Sequence, residues 1–149
     1  MFTLHPQLAH DTFFVSDLAL CRMLLMNNRF FPWAVLVPRR ESLREITDLS
    51  VEERHLLIDE ISAVSMAMQA LFTPDKLNIA ALGNQVEQLH VHVIARFTSD
   101  SAWPNPVWGK GSMAYEDTAP AIVDKLKRDL ASSDYLLDRG GCETYTQGS

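Results

Sequence analysis

Near the middle of the chain stands Gln85-Val86-Glu87-Gln88-Leu89-His90-Val91-His92-Val93-Ile94, followed by Ala95 and Arg96. Successive side chains of an extended strand point to opposite faces of a sheet, so every second residue shares a face. One face then carries Leu89, Val91, Val93 and Ala95, which are all apolar. The other carries Gln88, His90, His92 and Ile94. This alternation predicts a half-buried strand that presents two imidazoles side by side.

Two histidines on one strand face can act on the same small group. At a rise of about 3.3 Å per residue, the Cα atoms of His90 and His92 would lie about 6.6 Å apart, close enough to converge on one anion. Imidazole has an unperturbed pKa of about 6.5, so its neutral and charged forms are both accessible near neutral pH. A neutral histidine can attack as a nucleophile, and a charged one can donate a proton. The pair therefore indicates chemistry on an anionic substrate.

The segment Gln88-Leu89-His90-Val91-His92-Val93-Ile94 resembles the signature of the histidine-triad (HIT) superfamily, His-φ-His-φ-His-φ-φ, where φ is apolar. Gln88 stands in place of the first histidine. Residues 83–86 are similar to the family's Gly-Gln-polar-Val, residues 35–40 to its strand ending in Val-x-Pro-Lys/Arg, and residues 49–53 to its helix start. The resemblance spans residues 27–96 and looks closest to bacterial diadenosine polyphosphate hydrolase-like proteins with a Gln-x-His-x-His motif.

The resemblance implies nucleotidyl transfer to water. His90 would attack the α-phosphorus of a dinucleoside polyphosphate or a nucleoside phosphoramidate, and water would then hydrolyse the nucleotidyl-histidine. His92 would stabilise the developing charge or assist the leaving group. Asn84 and Gln85 would donate amide hydrogen bonds to phosphate or bridging oxygens. Gln88 can donate a hydrogen bond in place of the first histidine but cannot titrate.

Four further positions each have two interpretations. By the resemblance, Asn78 is another phosphate donor, although it could equally satisfy a strand edge. Asn27 is either a turn residue or a hydrogen-bond donor to ribose, whereas for Asn28 we favour the turn. Trp33 stands where many family members carry a histidine, and it either stacks on a base or packs in the core, which is the commoner role of a large aromatic residue. Residues 103–109, which contain two tryptophans, form either a flap docked on the core or on a partner subunit, which we favour, or a wall of the nucleotide pocket.

The departures at Gln88 and Trp33 also allow a second function, a nucleotide-binding module without efficient turnover. A third class is metal binding, because a His-x-His pair on one strand face can supply two ligands. No third ligand stands nearby, since Glu87 is out of phase with the two histidines. We therefore expect neither a metal nor another cofactor.

The whole chain predicts one domain. It has 149 residues, 47% of them hydrophobic, which is enough for one core at residues 1–138, with a flexible tail at 139–149. A formal charge of −6 argues against a nucleic-acid polymer as partner. No apolar run could span a bilayer, so we expect no membrane partner and a cytoplasmic location. Cys21 and Cys142 lie in unlike settings, which argues against a disulfide.

The order of the predicted elements favours an α+β fold. Apolar runs at residues 12–15, 19–26, 34–37 and 76–82, together with the histidine strand, predict about five antiparallel strands. Ser50 and Glu53 form a capping box at the start of a long helix, and Leu57, Ile61, Val64, Met68 and Leu71 recur along one of its faces. Glu60 falls elsewhere on that helix, on its predicted surface. Pro120 suits the first turn of a C-terminal helix. The resemblance further implies a homodimer.

Overall fold

A computed structural model of the protein describes residues 1–132. The predicted tail at 139–149, the end of the predicted domain at residue 138, and Cys142 lie outside these residues. The elements, in chain order, are α1 (Pro6–Asp11), β1 (Thr12–Asp17), β2 (Cys21–Met26), β3 (Trp33–Pro38), a 3-10 turn (Ile46–Asp48), α2 (Val51–Phe72), β4 (Lys76–Ala80), β5 (Val91–Arg96) and α3 (Ala119–Ser132). Within this range no helix is both long and apolar enough to cross a membrane.

The strands form one antiparallel sheet in the order β1-β2-β3-β5-β4. The predicted α+β class with five strands is therefore confirmed. Strand β5 is interior, because β3 pairs with it on one side and β4 on the other. Its apolar face joins the main core beneath α2 and α3, as the alternation predicts. The members of that face are Leu89, Val91, Val93 and Ala95.

The histidine strand is shorter than its sequence pattern predicts. β5 begins at Val91, so Gln88 and His90 lie on the loop that precedes it. The last ladder partners of β5 are Leu36 on β3 and Ala80 on β4, and the residues before Val91 pair with neither strand. Gly83 then turns the chain at φ +73°, a backbone conformation that glycine adopts without strain. The alternation of polar and apolar residues in the sequence thus begins several residues before the hydrogen-bonded strand does.

The long helix α2 begins as its capping box predicts. Ser50 Oγ accepts from the Glu53 amide at 3.1 Å, and the Glu53 carboxylate accepts from the Ser50 amide at 3.2 Å. The predicted surface position of Glu60 is wrong, because its side chain is fully buried. Its carboxylate accepts from the backbone amides of Leu20 and Cys21, at 2.7 and 2.8 Å. Leu20 lies just before β2 and Cys21 is its first residue. Glu60 therefore supplies hydrogen-bond acceptors to two buried N–H groups that would otherwise have none.

The second face of the sheet is also covered. A smaller apolar cluster packs there beneath α1 and the segment that follows β5. Consequently the face predicted to present the histidines is not open, and His90 and His92 are only 7% and 5% exposed. The buried members of the cluster are Leu8, Leu24, Phe31, Trp33, Val35, Val37, Ile94, Ala102 and Val107.

A buried ion pair organises the segment after β5. The Arg96 side chain is 1% exposed, and its Nε and Nη2 donate to the two carboxylate oxygens of Asp100 at 2.8 and 3.0 Å. Arg96 also donates to the carbonyl oxygen of Asn105 at 2.8 Å and to Asn78 Oδ1 at 2.7 Å. Asp100 in turn accepts from the Ala102 and Trp103 amides. One guanidinium thus fixes the path of residues 97–105.

We expect Asp100→Asn to lower the free energy of unfolding by about 2 kcal/mol at neutral pH. The hydrogen-bonded charge of Arg96 lowers the pKa of Asp100 from 3.8 to about 2. Because the folded-state pKa is depressed, the stabilisation is present above about pH 4 and is lost as the pH falls towards 2. Denaturant unfolding at pH 7 and pH 3 should show the difference from the parent shrinking in acid. Asp124→Asn, at an exposed position of α3, is the control, and a pH-independent difference would contradict the assignment.

Candidate active site

A cavity of about 440 Å³ lies at the start of β5. α1 forms one wall, the loop between β4 and β5 forms another, and Trp108 and Gly109 form a third. Both histidines line it. The lining residues are Gln7, Leu8, Asp11, Met26, Trp33, Leu82, Gly83, Asn84, Gln85, Val86, His90, His92, Trp108 and Gly109.

The ring of His90 is held by the backbone of its own loop. His90 Nδ1 lies 2.6 Å from the carbonyl oxygen of Gln88. A carbonyl oxygen can only accept a hydrogen bond, so Nδ1 carries the proton and donates it. In the neutral imidazole this leaves the lone pair on Nε2. His90 therefore has the tautomer that a nucleophile requires.

The ring of His92 is held in the opposite sense. Trp33 Nε1 donates to His92 Nδ1 at 2.9 Å, and an indole nitrogen can only donate. Nδ1 is therefore unprotonated, and the neutral ring carries its proton on Nε2. Burial, together with the neighbouring His90, lowers the pKa of His92 to about 4. At neutral pH His92 is an uncharged hydrogen-bond donor.

Two tryptophan rings pack edge-to-face with this pair of imidazoles. The rings of His90 and His92 have centroids 4.8 Å apart and planes at 75°. Trp108 contacts His92 at 5.3 Å, and Trp33 contacts both of them, at 5.5 Å for His92 and 5.7 Å for Trp108. Trp33 packs, as we favoured, and also lines the cavity. Of the two tryptophans of residues 103–109, Trp103 packs against the Arg96 guanidinium, whereas Trp108 lines the cavity.

The other predicted site residues divide into three groups. Asn84 and Gln85 line the cavity and are exposed. Asn27 lines an adjoining cavity of about 380 Å³, and its Oδ1 accepts from the Tyr115 amide at 2.8 Å. Asn78 is not among the lining residues of either cavity, and its Oδ1 binds Arg96 instead. Asn28 is a turn residue whose Oδ1 accepts from the Phe30 amide, as the turn interpretation predicts.

Gln88 turns its side chain towards the amino-terminal segment. Its Oε1 accepts from the His5 amide at 2.8 Å, and its Nε2 donates to the Thr3 carbonyl oxygen at 2.9 Å. One side-chain amide thus pairs with a strip of backbone much as a neighbouring strand would. The contact of Gln88 with His90 runs instead through its backbone carbonyl, which does not depend on the side chain.

Sequence patterns did not identify the α1 wall of the cavity. Gln7, Leu8 and Asp11 all line it, and Gln7 Nε2 donates to Asp11 Oδ2 at 2.7 Å. Two signals were available: Pro6 suits the first turn of a helix, and a Gln–Asp pair four residues apart shares one helix face. Neither signal indicates that the helix folds over the histidines.

Metal-ligand geometry is not found in the described chain. Within residues 1–132, no group of three or more His, Cys, Asp or Glu side chains is arranged to hold a metal ion. The polar groups around the histidines are instead amides, indoles and a single carboxylate, Asp11.

Known proteins resemble this chain along most of its length. The family model that matches is the HIT domain, over residues 7–99. A histidine triad protein from Marinobacter aquaeolei is 47% identical, with 88% of this chain and 97% of that one covered at a TM-score of 0.84. One from Bradyrhizobium japonicum is 45% identical, with 87% and 98% covered at a TM-score of 0.85. One from Sinorhizobium meliloti is 38% identical, with 86% and 96% covered at 0.84.

These similarities confirm the predicted HIT-like fold. None of the functionally curated proteins matches the chain.

Replacing Gln88 by alanine should release residues 3–5 from the loop that precedes β5. The His5 amide would lose its acceptor, so its hydrogen exchange should accelerate about 10-fold, the equivalent of one ordinary hydrogen bond. Exchange followed by NMR measures this amide directly. Gln85→Ala, at an exposed glutamine of the same loop, is the matched control and should leave His5 unchanged. Equal exchange of His5 in the parent and in Gln88→Ala would contradict the role given to Gln88.

Proposed function

Because this chain belongs to the HIT domain family, we propose that it hydrolyses or transfers nucleotides at the α-phosphate of a dinucleoside polyphosphate or a nucleoside phosphoramidate. The observation that carries the proposal is the hydrogen bond from His90 Nδ1 to the Gln88 carbonyl oxygen, at 2.6 Å. It leaves the lone pair on Nε2, in a residue that lines a cavity large enough for a nucleotide phosphate.

The reaction would proceed in two displacements. The lone pair of His90 Nε2 attacks the α-phosphorus, a P–N bond forms, and the bond to the leaving group breaks with its electron pair on that group. The Nδ1–H of the nucleotidylated ring stays hydrogen-bonded to the Gln88 carbonyl, which offsets the charge that the ring gains. Water then attacks phosphorus, the electron pair of the P–N bond returns to Nε2, and one proton passes to solvent.

The residues around His90 can bind a phosphate through N–H donors rather than through charged side chains. The exposed amides of Asn84 and Gln85 can donate to phosphate or bridging oxygens, and His92 Nε2–H supplies a further donor. The adjoining cavity shares Asp11, Met26, Trp33, Trp108 and Gly109 with this one, so a nucleoside could lie there while its phosphate meets His90. Asn27 would then bind the ribose. Asn78 stays a prediction, with its Oδ1 committed to Arg96.

Gln88 would have no part in proton transfer. Its side chain is committed to Thr3 and His5, and the carbonyl that orients His90 is available from any residue type. Loss of the first histidine therefore leaves the tautomer of the nucleophile intact, which supports turnover over the alternative of nucleotide binding without catalysis. The cytoplasmic location and the lack of a nucleic-acid partner stay predictions.

Intact-protein mass spectrometry after brief mixing with an adenylated substrate should detect an adenylyl adduct in the parent protein. His90→Ala should abolish both the adduct and nucleotide release, because no other group at that position offers the attacking lone pair. His55→Ala, at an exposed histidine of α2, is the control and should behave as the parent does. Nucleotide bound without adduct or release would favour the non-catalytic binding module instead.

We also propose that the protein is a homodimer formed along β4. This strand is the sheet edge beside α2, and its outer side lacks a partner strand within the described chain. Ile79 of β4 is 49% exposed, and Ile58 and Met66 of α2 are exposed as well. An apolar edge of this kind is normally covered in a soluble protein.

Sedimentation should therefore give twice the chain mass of 16.8 kDa. Ile79→Lys should shift the protein towards monomer, because a second copy would bury this charge without a partner. The matched control is Phe14→Lys, at an exposed apolar residue of β1 on the opposite edge, and it should leave the mass unchanged. A parent protein that sediments as a monomer at micromolar concentration would disprove the dimer.

A further inference from the structure

The hydrogen bond from Trp33 to His92 limits what His92 can do. Trp33 Nε1 donates to His92 Nδ1 at 2.9 Å, between side chains that are 7% and 5% exposed. A protonated imidazole carries N–H groups on both nitrogens, so a second proton would place two donors against each other. Neither donor could turn to water instead, because both are buried. His92 can donate a hydrogen bond from Nε2, but it cannot hold the extra proton that a general acid gives away.

No other side chain in residues 1–132 replaces that acid at the cavity. The titratable residues that line it are Asp11, His90 and His92. His90 is the attacking group, and its Nδ1–H is held by the Gln88 carbonyl. The Asp11 carboxylate accepts from Gln7 Nε2 and faces His10, and its pKa lies below its ordinary value because these hydrogen bonds outweigh its burial, so it is ionised at neutral pH.

The other charged side chains of the described residues are not among those that line this cavity. His10 is mostly exposed and lines the adjoining cavity. Arg44 and Glu45 line a smaller depression of about 200 Å³, which His90 also lines.

Leaving groups differ in whether they need such an acid. An amine cannot depart from phosphorus as an amide anion, so its nitrogen must be protonated before the P–N bond breaks. A phosphate or carboxylate departs from an anhydride as a stable oxyanion. For that oxyanion a neutral N–H donor is sufficient, since it stabilises the developing charge without giving up its proton.

We propose that Trp33 is a positioning residue that fixes His92 as a neutral hydrogen-bond donor, and that the site is thereby selective for nucleotide anhydrides over phosphoramidates. The inference rests on the proposed function and names its substrate class. His90 Nε2 forms the bond to the α-phosphorus, the bridging P–O bond breaks, and its electron pair leaves on the phosphate or carboxylate oxygen. His92 keeps its proton throughout. Water later releases the nucleotide as described above, and no acid in the site takes part.

The test compares diadenosine triphosphate with adenosine 5′-phosphoramidate, which share the adenylyl group. We expect the parent to have kcat/KM at least about 100-fold higher for the anhydride, since a missing general acid costs on the order of 100-fold or more. Trp33→Phe keeps an aromatic ring but removes the donor that opposes a proton on Nδ1, and the smaller ring also exposes Nδ1 to water, so His92 can be protonated. The ratio of phosphoramidate to anhydride activity should then rise about 10-fold, and more at pH 6 than at pH 8. The ionisation of His90 cancels in this ratio.

The matched control is Trp108→Phe, at the other tryptophan that contacts the His92 ring. Its substitution changes the packing but not the hydrogen bond, so the ratio should stay that of the parent. The tautomer is measured without any variant or substrate, by long-range ¹H–¹⁵N correlation of the imidazoles in the parent protein. His92 should show a proton on Nε2 alone from pH 8 down to pH 6.

The possible results distinguish failure of the selectivity inference from failure of the proposed function. A phosphoramidate hydrolysed as fast as the anhydride, or a His92 that carries a proton on Nδ1 at pH 7, would overturn the inference and leave the proposed function standing. Equal ratios in Trp33→Phe and Trp108→Phe would also overturn it. No adduct and no release from either substrate would overturn both.

Discussion

The buried ion pair of Arg96 and Asp100 holds in place the segment that forms one wall of the histidine cavity. A guanidinium taken out of water must be paired and hydrogen-bonded, or the cost of burying it is several kcal/mol. Here every side-chain hydrogen bond that the guanidinium donates goes to the segment after β5 or to β4, so satisfying the charge also fixes that segment. Its continuation places Val107 in the second core cluster and Trp108 against His92. The wall of the cavity at His90 and His92 thus depends on a charge that never touches the cavity.

Patterns local in sequence predicted most of the fold. The capping box at Ser50 and Glu53 and the core face of β5 are set by neighbours within a few residues, so they could be inferred directly. Contacts between distant residues could not. The bond from Trp33 to His92 joins positions 59 apart, and the bonds of Gln88 to the amino terminus join positions more than 80 apart. The periodicity of a strand or a helix identifies the face on which a side chain lies, but it does not say what will cover that face. The burial of Glu60 was missed for the same reason, because its partners Leu20 and Cys21 are distant in sequence.

The two departures from the family motif make sense together. Where the motif has three histidines, this chain has two, and each has its tautomer set by a different fixed partner. A carbonyl oxygen holds the proton of His90 on Nδ1, whereas an indole holds the proton of His92 on Nε2. Imidazoles prepared in this way need no rearrangement before the substrate arrives, which is the main advantage of a rigid site over a flexible one.

The lining of the cavity has a consequence for how a substrate arrives. No lysine or arginine of residues 1–132 lines the cavity that holds the two histidines, and the protein carries a formal charge of −6. A phosphate therefore meets oriented N–H dipoles, which act only over a few ångströms, whereas the long-range field of the protein repels it. Encounter with the proposed nucleotide substrate would not be accelerated by electrostatic steering, and added salt, which screens the repulsion, would favour its capture. Selection by this site begins at contact, after diffusion has already delivered the ligand.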